Sequence, residues 1–201
     1  MLKKKSKVNS KILYKNLSVS FAVLLAVFCI FAGYYFLERE FLYPLKYKAE
    51  IYRYADEFDL ERALVFAVVK TESDFDDRAV SPVGAIGLMQ ITEETGKYVA
   101  EKLNVKEFDL FSPNINIKFG CCYLKYLIER FEKVDTALIA YNAGEGNVEK
   151  WLADNNYSKD GKTLITTPFK ETNAYILKIK KNFSKYKKLY GNILDKRQNF
   201  E

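Results

Sequence analysis

Histidine is absent from the 201 residues, and cysteine occurs only three times. Ser-His-Asp and Cys-His nucleophile systems, His-ligated zinc and four-cysteine zinc sites are therefore excluded. Chemistry has to come from carboxylates, hydroxyls, amides, phenols and the backbone. One carboxyl stands out by its place. Val65, Val68, Val69 and Glu72 fall at i, i+3, i+4 and i+7, so Glu72 prolongs the apolar face of a helix whose run from Ala63 to Val69 is nearly all apolar. A carboxyl there is partly desolvated and lies at the negative end of the helix dipole, and both effects raise its pKa. A carboxylic acid still protonated near neutral pH can serve as a general acid. The same spacing also suits a frayed helix end with Glu72 in water. Asp74, Asp76 and Asp77 follow closely, where a two-carboxylate hydrolase would want a partner.

The elements that must hold Glu72 read as helices. Period-two alternation is scarce, and no internal repeat or low-complexity tract is present. Ile51, Tyr54, Ala55 and Phe58 trace one stripe, after which Asp59 is expected to cap the helix carrying Ala63–Val69. Ser112-Pro113 is a helix start, with Ser as cap and Pro in the first position, and Ile117, Cys121, Leu124, Leu127, Ile128 and Phe131 follow towards a core. Adjacent helical residues point about 100° apart, so a bridge between Cys121 and Cys122 would be strained and core filling is the expected role of both. Pro168 is expected to open a last helix carrying Tyr175, Ile176, Ile179 and Phe183. Residues 74–91 and 153–167 show no period and read as loops. The fold class is all-α.

The formal net charge of +6 is local. Residues 1–37 hold six lysines and no acid, which leaves 26 basic and 26 acidic residues elsewhere. A neutral remainder argues against nucleic acid as a partner. Leu17 to Leu37 is 21 residues without a charge, and a helix of that length crosses about 30 Å of hydrocarbon. A cleaved signal has a shorter apolar region of about 7–15 residues; no small-x-small cleavage site is evident, and Cys29 follows Val27-Phe28 instead of small residues. The expected organisation is a basic cytoplasmic tail (1–16), an uncleaved single-pass membrane helix (17–37), a short aromatic linker (38–47) and an extracytoplasmic domain (48–201). The lysines before the span and the Tyr34-Tyr35 pair at its exit set that orientation.

Four motifs then carry a resemblance. ESDFDDRAVSPVGAIGLMQIT, starting at Glu72, resembles the signature of the soluble lytic transglycosylase family. SPNINIKFGCCYLKYLIERF resembles its N-x-x-G-x-x-Y-L helix through Asn114/Asn116, Gly120, Tyr123 and Leu124. ALIAYNAGEGNV is similar to its A-Y-N-A-G loop, and ETNAYILKI to its E-T-x-x-Y helix. The ordered set spans roughly residues 48–188. It implies a goose-lysozyme-like, all-α catalytic domain in which Glu72 is the single acid/base, followed by Ser73, with Ser81 supporting the carboxyl and the substrate. Gly84, Gly87, Leu88, Met89 and Gln90 match a loop lining the sugar groove, where the glycines also suit plain turns and Met89 also suits core packing. Tyr141 and Asn142 match a loop facing the glutamate, the phenol able to bond the carboxylate and the amide to hold an acetamido group. Glu171 and Tyr175 match the motif that completes and braces the site, although Glu171 also suits a helix N-terminus.

The family pattern has no second acid, so Asp74, Asp76 and Asp77 are assigned to loop and capping roles. The lysines at 178, 180, 181, 185, 187 and 188 are assigned to a solvated face, with contact to anionic wall polymers or lipid heads as the alternative. The implied activity is cleavage of the β-1,4 bond between N-acetylmuramic acid and N-acetylglucosamine in peptidoglycan glycan strands. It closes a 1,6-anhydro ring and needs no metal and no cofactor. A lysozyme-type hydrolase and a non-catalytic wall-binding or assembly protein on the same fold are the alternatives.

Overall fold

The computed structural model describes residues 2–195. The chain divides into two compact units, one ending at Pro44 and the other beginning at Leu45.

The first unit is the helix α1 (Leu2–Leu37), continued by a π-helix over Glu38–Leu42. The stretch 38–47, expected as a link, thus begins with helical backbone. Tyr14–Leu42 is long and apolar enough to cross a membrane, and none of its apolar stretch is buried. Leu17, Phe21, Leu24, Phe28 and Phe31 all stand exposed. By length and composition this segment is a candidate membrane span.

The second unit is built from α2 (Lys48–Glu57), α3 (Arg62–Glu72), α4 (Glu93–Lys102), α5 (Pro113–Phe131), α6 (Val134–Ala143), α7 (Glu145–Leu152) and α8 (Lys170–Leu194). Among the described residues no strand forms; residues 74–91 and 153–167 hold isolated bridges such as Val80–Ile86, Ile86–Ile91 and Ser158–Leu164. The centre is α3. Every residue from Ala63 to Val69 is buried, as a helix without a polar face demands. α8 and α2 pack against it, and the Phe66 ring lies 5.3 Å from Tyr186, 6.2 Å from Phe75 and 6.3 Å from Tyr52.

Asp59 does not cap α3. It sits in the left-handed region at φ 49° and terminates α2, where the Leu60 N–H donates to the Ala55 carbonyl at 2.7 Å; the residue before α3 is Glu61, whose side chain makes no capping bond. The start of α5 agrees with the sequence in place, with Ser112 flanking and Pro113 leading, but the Ser112 side chain makes no cap bond. Cys121 and Cys122 are free, buried thiols inside this helix, and burial pushes both upward in pKa. α8 starts at Lys170, two residues beyond Pro168. Its entry is fixed by Asn173, which accepts from the Thr167 N–H at 3.0 Å and donates to the Thr167 carbonyl at 2.8 Å, and by Phe169 edge-on to Trp151 at 5.1 Å.

Candidate active site

Glu72 is the last residue of α3 and is half-buried. From α8, the buried Tyr175 donates its phenol hydrogen to Glu72 Oε1 at 2.6 Å. Burial raises the carboxyl from 4.5 to about 7, against the opposing pull of the Tyr175 hydrogen bond and the Lys178 charge. Desolvation therefore wins, as the helical spacing predicted. Tyr141 and Tyr175 are both held well above the usual phenol value, by burial first and the nearby Glu72 charge second.

The loop after Glu72 is positioned by groups that mostly do not face the groove. Ser73 Oγ donates to the Leu88 carbonyl at 2.9 Å, tying the loop back to the helix end. The buried Asn116 of α5 organises its far side: Oδ1 accepts from the Met89 N–H at 2.7 Å, and Nδ2 donates to the Ile86 and Leu110 carbonyls at 2.8 Å each. Both of its donors and one of its two acceptor positions are used, as suits a buried amide. Gly87 lies against this amide at φ +73°, and a Cβ there would come within 2.5 Å of Asn116 Nδ2 and 2.8 Å of the Leu110 carbonyl. Gly87 therefore serves close packing and a positive φ.

Met89 is likewise no groove wall. Its side chain is fully buried, and Gly120 of α5 gives it room, since a Cβ on Gly120 would collide with it. Gln90 sits at φ 49° and its amide donates to the Gly87 carbonyl at 2.9 Å. Ser81 Oγ accepts from the Ala85 N–H at 3.0 Å, closing its own turn.

Tyr141 and Asn142 belong to the last turn of α6 instead of a loop. The Tyr141 hydroxyl donates to the Met89 carbonyl at 2.8 Å. The phenol on the Glu72 carboxyl is thus that of Tyr175, and Tyr141 braces the loop. Asn142 Oδ1 accepts from Thr172 Oγ1 at 2.8 Å, linking α6 to α8 and leaving the amide nitrogen as what Asn142 can present to a ligand.

An open groove of about 670 Å³ gathers Glu72, Ser81, Gln90, Tyr141, Asn142, Glu171, Tyr175 and Lys178. Gln90, Thr92, Tyr141, Asn142 and Ala143 also line an adjoining polar cavity of about 470 Å³ that reaches Tyr98, Tyr123 and Glu145. Together they make an elongated trough with the raised carboxyl at one part of its wall. A third, more apolar cavity of about 480 Å³ under Leu64, Ile128, Leu138 and Phe183 shares none of these residues. Its acids Asp59, Glu61 and Asp135 are ion-paired with Lys125, Lys187 and Lys180.

Sequence reasoning placed Ser73, Gly87 and Met89 at the site, and they prove to support it from behind. It assigned Lys178 to a solvated face; the residue is exposed, and its Nζ donates to the Thr71 carbonyl at 2.9 Å at the groove. It also left Asn116 and Thr172 without a role. The i, i+3 spacing of Tyr175 and Lys178 was the available signal for Lys178.

A desolvated glutamate on an open trough in an all-helical domain is a lysozyme-like arrangement. The chain belongs to the family of the Transglycosylase SLT domain, whose model matches residues 50–165; that match ends before Glu171 and Tyr175. The soluble lytic murein transglycosylase of Salmonella typhimurium is 30% identical over 180 residues, covering 87% of this chain and 27% of that protein. The membrane-bound lytic murein transglycosylase C of Yersinia pestis is 28% identical over 169 residues, covering 70% of this chain and 47% of that protein. Among solved structures, an inactive mutant of lytic transglycosylase Slt from Pseudomonas aeruginosa superposes with a TM-score of 0.68 at 30% identity, covering 82% of this chain and 28% of that one. The fold is therefore the all-α, lysozyme-like lytic transglycosylase fold. The chain spans about a quarter of the length of the soluble relatives it matches.

Proposed function

We propose that this chain is a membrane-anchored peptidoglycan lytic transglycosylase that cleaves the β-1,4 bond between N-acetylmuramic acid and N-acetylglucosamine and leaves a 1,6-anhydro end. The observation that carries the reading is Glu72: one carboxyl, raised to about 7, facing the trough with its Oε1 held by Tyr175. A group near neutrality can give a proton and take one back within a single turnover. With Oε1 fixed, Oε2 is the oxygen that protonates the glycosidic oxygen as the bond to the anomeric carbon breaks. The resulting carboxylate then accepts the proton of the muramyl 6-hydroxyl as that oxygen bonds to the same carbon. No water enters, and the proton count closes on Glu72.

The supporting roles follow from placement. The Asn142 amide nitrogen suits the carbonyl of an acetamido group, and Gln90 and Glu171 border the sugar path. Ser73, Ser81, Gly87, Met89 and Tyr141 fix the loop and the wall on which Glu72 depends. Holding the 6-hydroxyl against the anomeric carbon gives the internal nucleophile an effective concentration that reaches about 10⁵ M or more in well-aligned systems. In this reading residues 1–16 are cytoplasmic, 17–37 span the membrane and 48–201 work outside on the wall. The six lysines before the span and the exposed apolar surface of α1 support that orientation.

Mass spectrometry of muropeptides released from purified wall by the full chain in detergent tests the activity. Anhydro ends that resist borohydride are expected. Mainly reducible ends would replace the reading with a lysozyme-type hydrolase, and no release would leave a wall-binding protein.

A further inference from the structure

The end of α3 is closed unevenly. Ser73 N–H bonds the Val69 carbonyl at 3.1 Å and Asp74 N–H bonds the Lys70 carbonyl at 3.2 Å, so two of the last carbonyls have local partners. The Thr71 carbonyl is served from another helix: Lys178 Nζ donates to it at 2.9 Å. On α8, Tyr175, Lys178 and Asn182 stand at i, i+3 and i+7, on one face. They reach in turn Glu72 Oε1, the Thr71 carbonyl and, at 2.9 Å, Thr71 Oγ1. One face of α8 therefore reads the C-terminus of α3 with three donors, of which one carries a full positive charge.

We propose that Lys178 is a positioning residue: its ammonium, tied to the Thr71 carbonyl, holds a positive charge beside Glu72 and sets the pH window in which that carboxyl passes from acid to base. The inference rests on the reading of Glu72 as the acid/base and deepens it. The tether is the point of the arrangement. A lysine paired directly with Glu72 would keep the carboxyl ionised at neutral pH and remove the acid. With no charge, only the Tyr175 hydrogen bond would oppose burial and the negative helix end, and the base form would be scarcer. A charge held on the neighbouring carbonyl lies between these limits.

Of the other groups facing Glu72, Tyr175 also favours the ionised form through its hydrogen bond, but none lining the groove brings a second positive charge. Tyr175 from α8 and Tyr141 from α6 are phenols raised well above their usual range. Glu171, also on α8, adds negative charge to the groove. The loop contributes the uncharged Ser81 and Gln90. At the end of α3 itself, Lys70 is ion-paired with Asp74 at 2.6 Å.

The test is a titration of Glu72 in the full chain in detergent micelles. Glutamate is labelled with ¹³C at its side-chain carboxyl, and the Glu72 resonance is assigned by its loss in Glu72→Gln. Lys178→Met should raise the Glu72 midpoint by about 0.5–1 pH unit, less than a direct ion pair would produce because the charge is exposed and tethered elsewhere. Lys178→Arg should restore it, and the pH optimum of muropeptide release should move upward with the midpoint. If Lys178→Met loses its near-UV circular dichroism, Lys178→Gln, which keeps a neutral donor, carries the same expectation. A midpoint unchanged in the folded neutral variant overturns the inference. Should the midpoint move while wild type releases no muropeptides, the electrostatic role stands and the proposed activity falls.

Discussion

Two helices of this chain carry long apolar runs, one buried and one exposed. In α3, Phe66 is 0% exposed and its neighbours from Ala63 to Val69 are buried with it; in α1, Phe28 is 68% exposed and nothing covers the residues around it. The same side-chain chemistry is thus covered by protein in one helix and left exposed in the other. Burial of α3 by protein creates the low-dielectric end at which a carboxyl becomes a weak acid. The apolar side chains of α1 from Leu17 onward are exposed, and under the proposed anchoring hydrocarbon would cover them. Composition alone does not separate the two. What separates them is length, the flanking lysines, and whether a partner stripe such as that of α8 exists.

The largest effect expected from this contrast is at the buried end. Glu72→Gln keeps the shape but cannot exchange the proton. Loss of general acid–base help is worth about 10²–10⁴-fold, and here one group serves both steps, so muropeptide release should fall by at least that. Retention of a tenth of wild-type release would remove Glu72 from the mechanism. The same variant should gain stability at alkaline pH. The folded carboxyl sits at about 7 against 4.5 for the unaffected group, so the folded state binds the proton more tightly. The neutral form's advantage is complete below about 4.5 and is lost as pH rises through about 7. At pH 8 wild type therefore carries a penalty of about 3 kcal/mol that Gln lacks. Urea unfolding at pH 4 and pH 8 should show the two proteins converging at the lower value.

Core truncation separates the helices next. Phe66→Ala should cost about 3–5 kcal/mol in urea unfolding of the Leu45–Glu201 unit, because its cavity lies in the centre of the packing. Phe28→Ala should leave that transition where it is. Leu24→Arg acts on the other helix only: a charge in mid-span costs about 2.5–3.5 kcal/mol of insertion, so the protein should shift from the membrane fraction towards the soluble one. A Leu24→Arg chain that fractionates like wild type would mean that α1 has cover other than lipid.

The helix bearing Glu72, and the place of the carboxyl on its face, were legible because a periodic apolar pattern is a local signal. So was α5. The partners of Glu72 were not, since Tyr175 lies 103 residues away and Tyr141 is 52 residues from the carbonyl it braces. Motif order brought both tyrosines to the site, but nothing local said which phenol touches the carboxyl. Asp59 was misjudged for a related reason: acids favour caps and left-handed turns alike, and the choice depends on how α2 ends. Met89 reads equally as wall or core until Gly120 is seen to leave it room. Lys178 is exposed like most lysines of its helix, and its bond to the Thr71 carbonyl spans 107 residues, which leaves no local signal of that bond.

The smallest effect is also the most discriminating, because it separates the two tyrosines. The Tyr175 phenol donates to Glu72 Oε1 at 2.6 Å and favours the ionised form. Tyr175→Phe should therefore raise the Glu72 midpoint above about 7, by up to about one pH unit. Because the base form becomes scarcer, release should fall most at the acid side of the profile, and the optimum should move upward. Tyr141→Phe breaks a bond to the Met89 carbonyl instead. It should slow release by loosening the loop while moving the midpoint less than Tyr175→Phe does. The variant pair is read by the same carboxyl titration. Equal shifts from both substitutions would mean that the phenols share the carboxyl in solution. A larger shift from Tyr141→Phe would return the carboxyl partner to α6 and leave Tyr175 as packing.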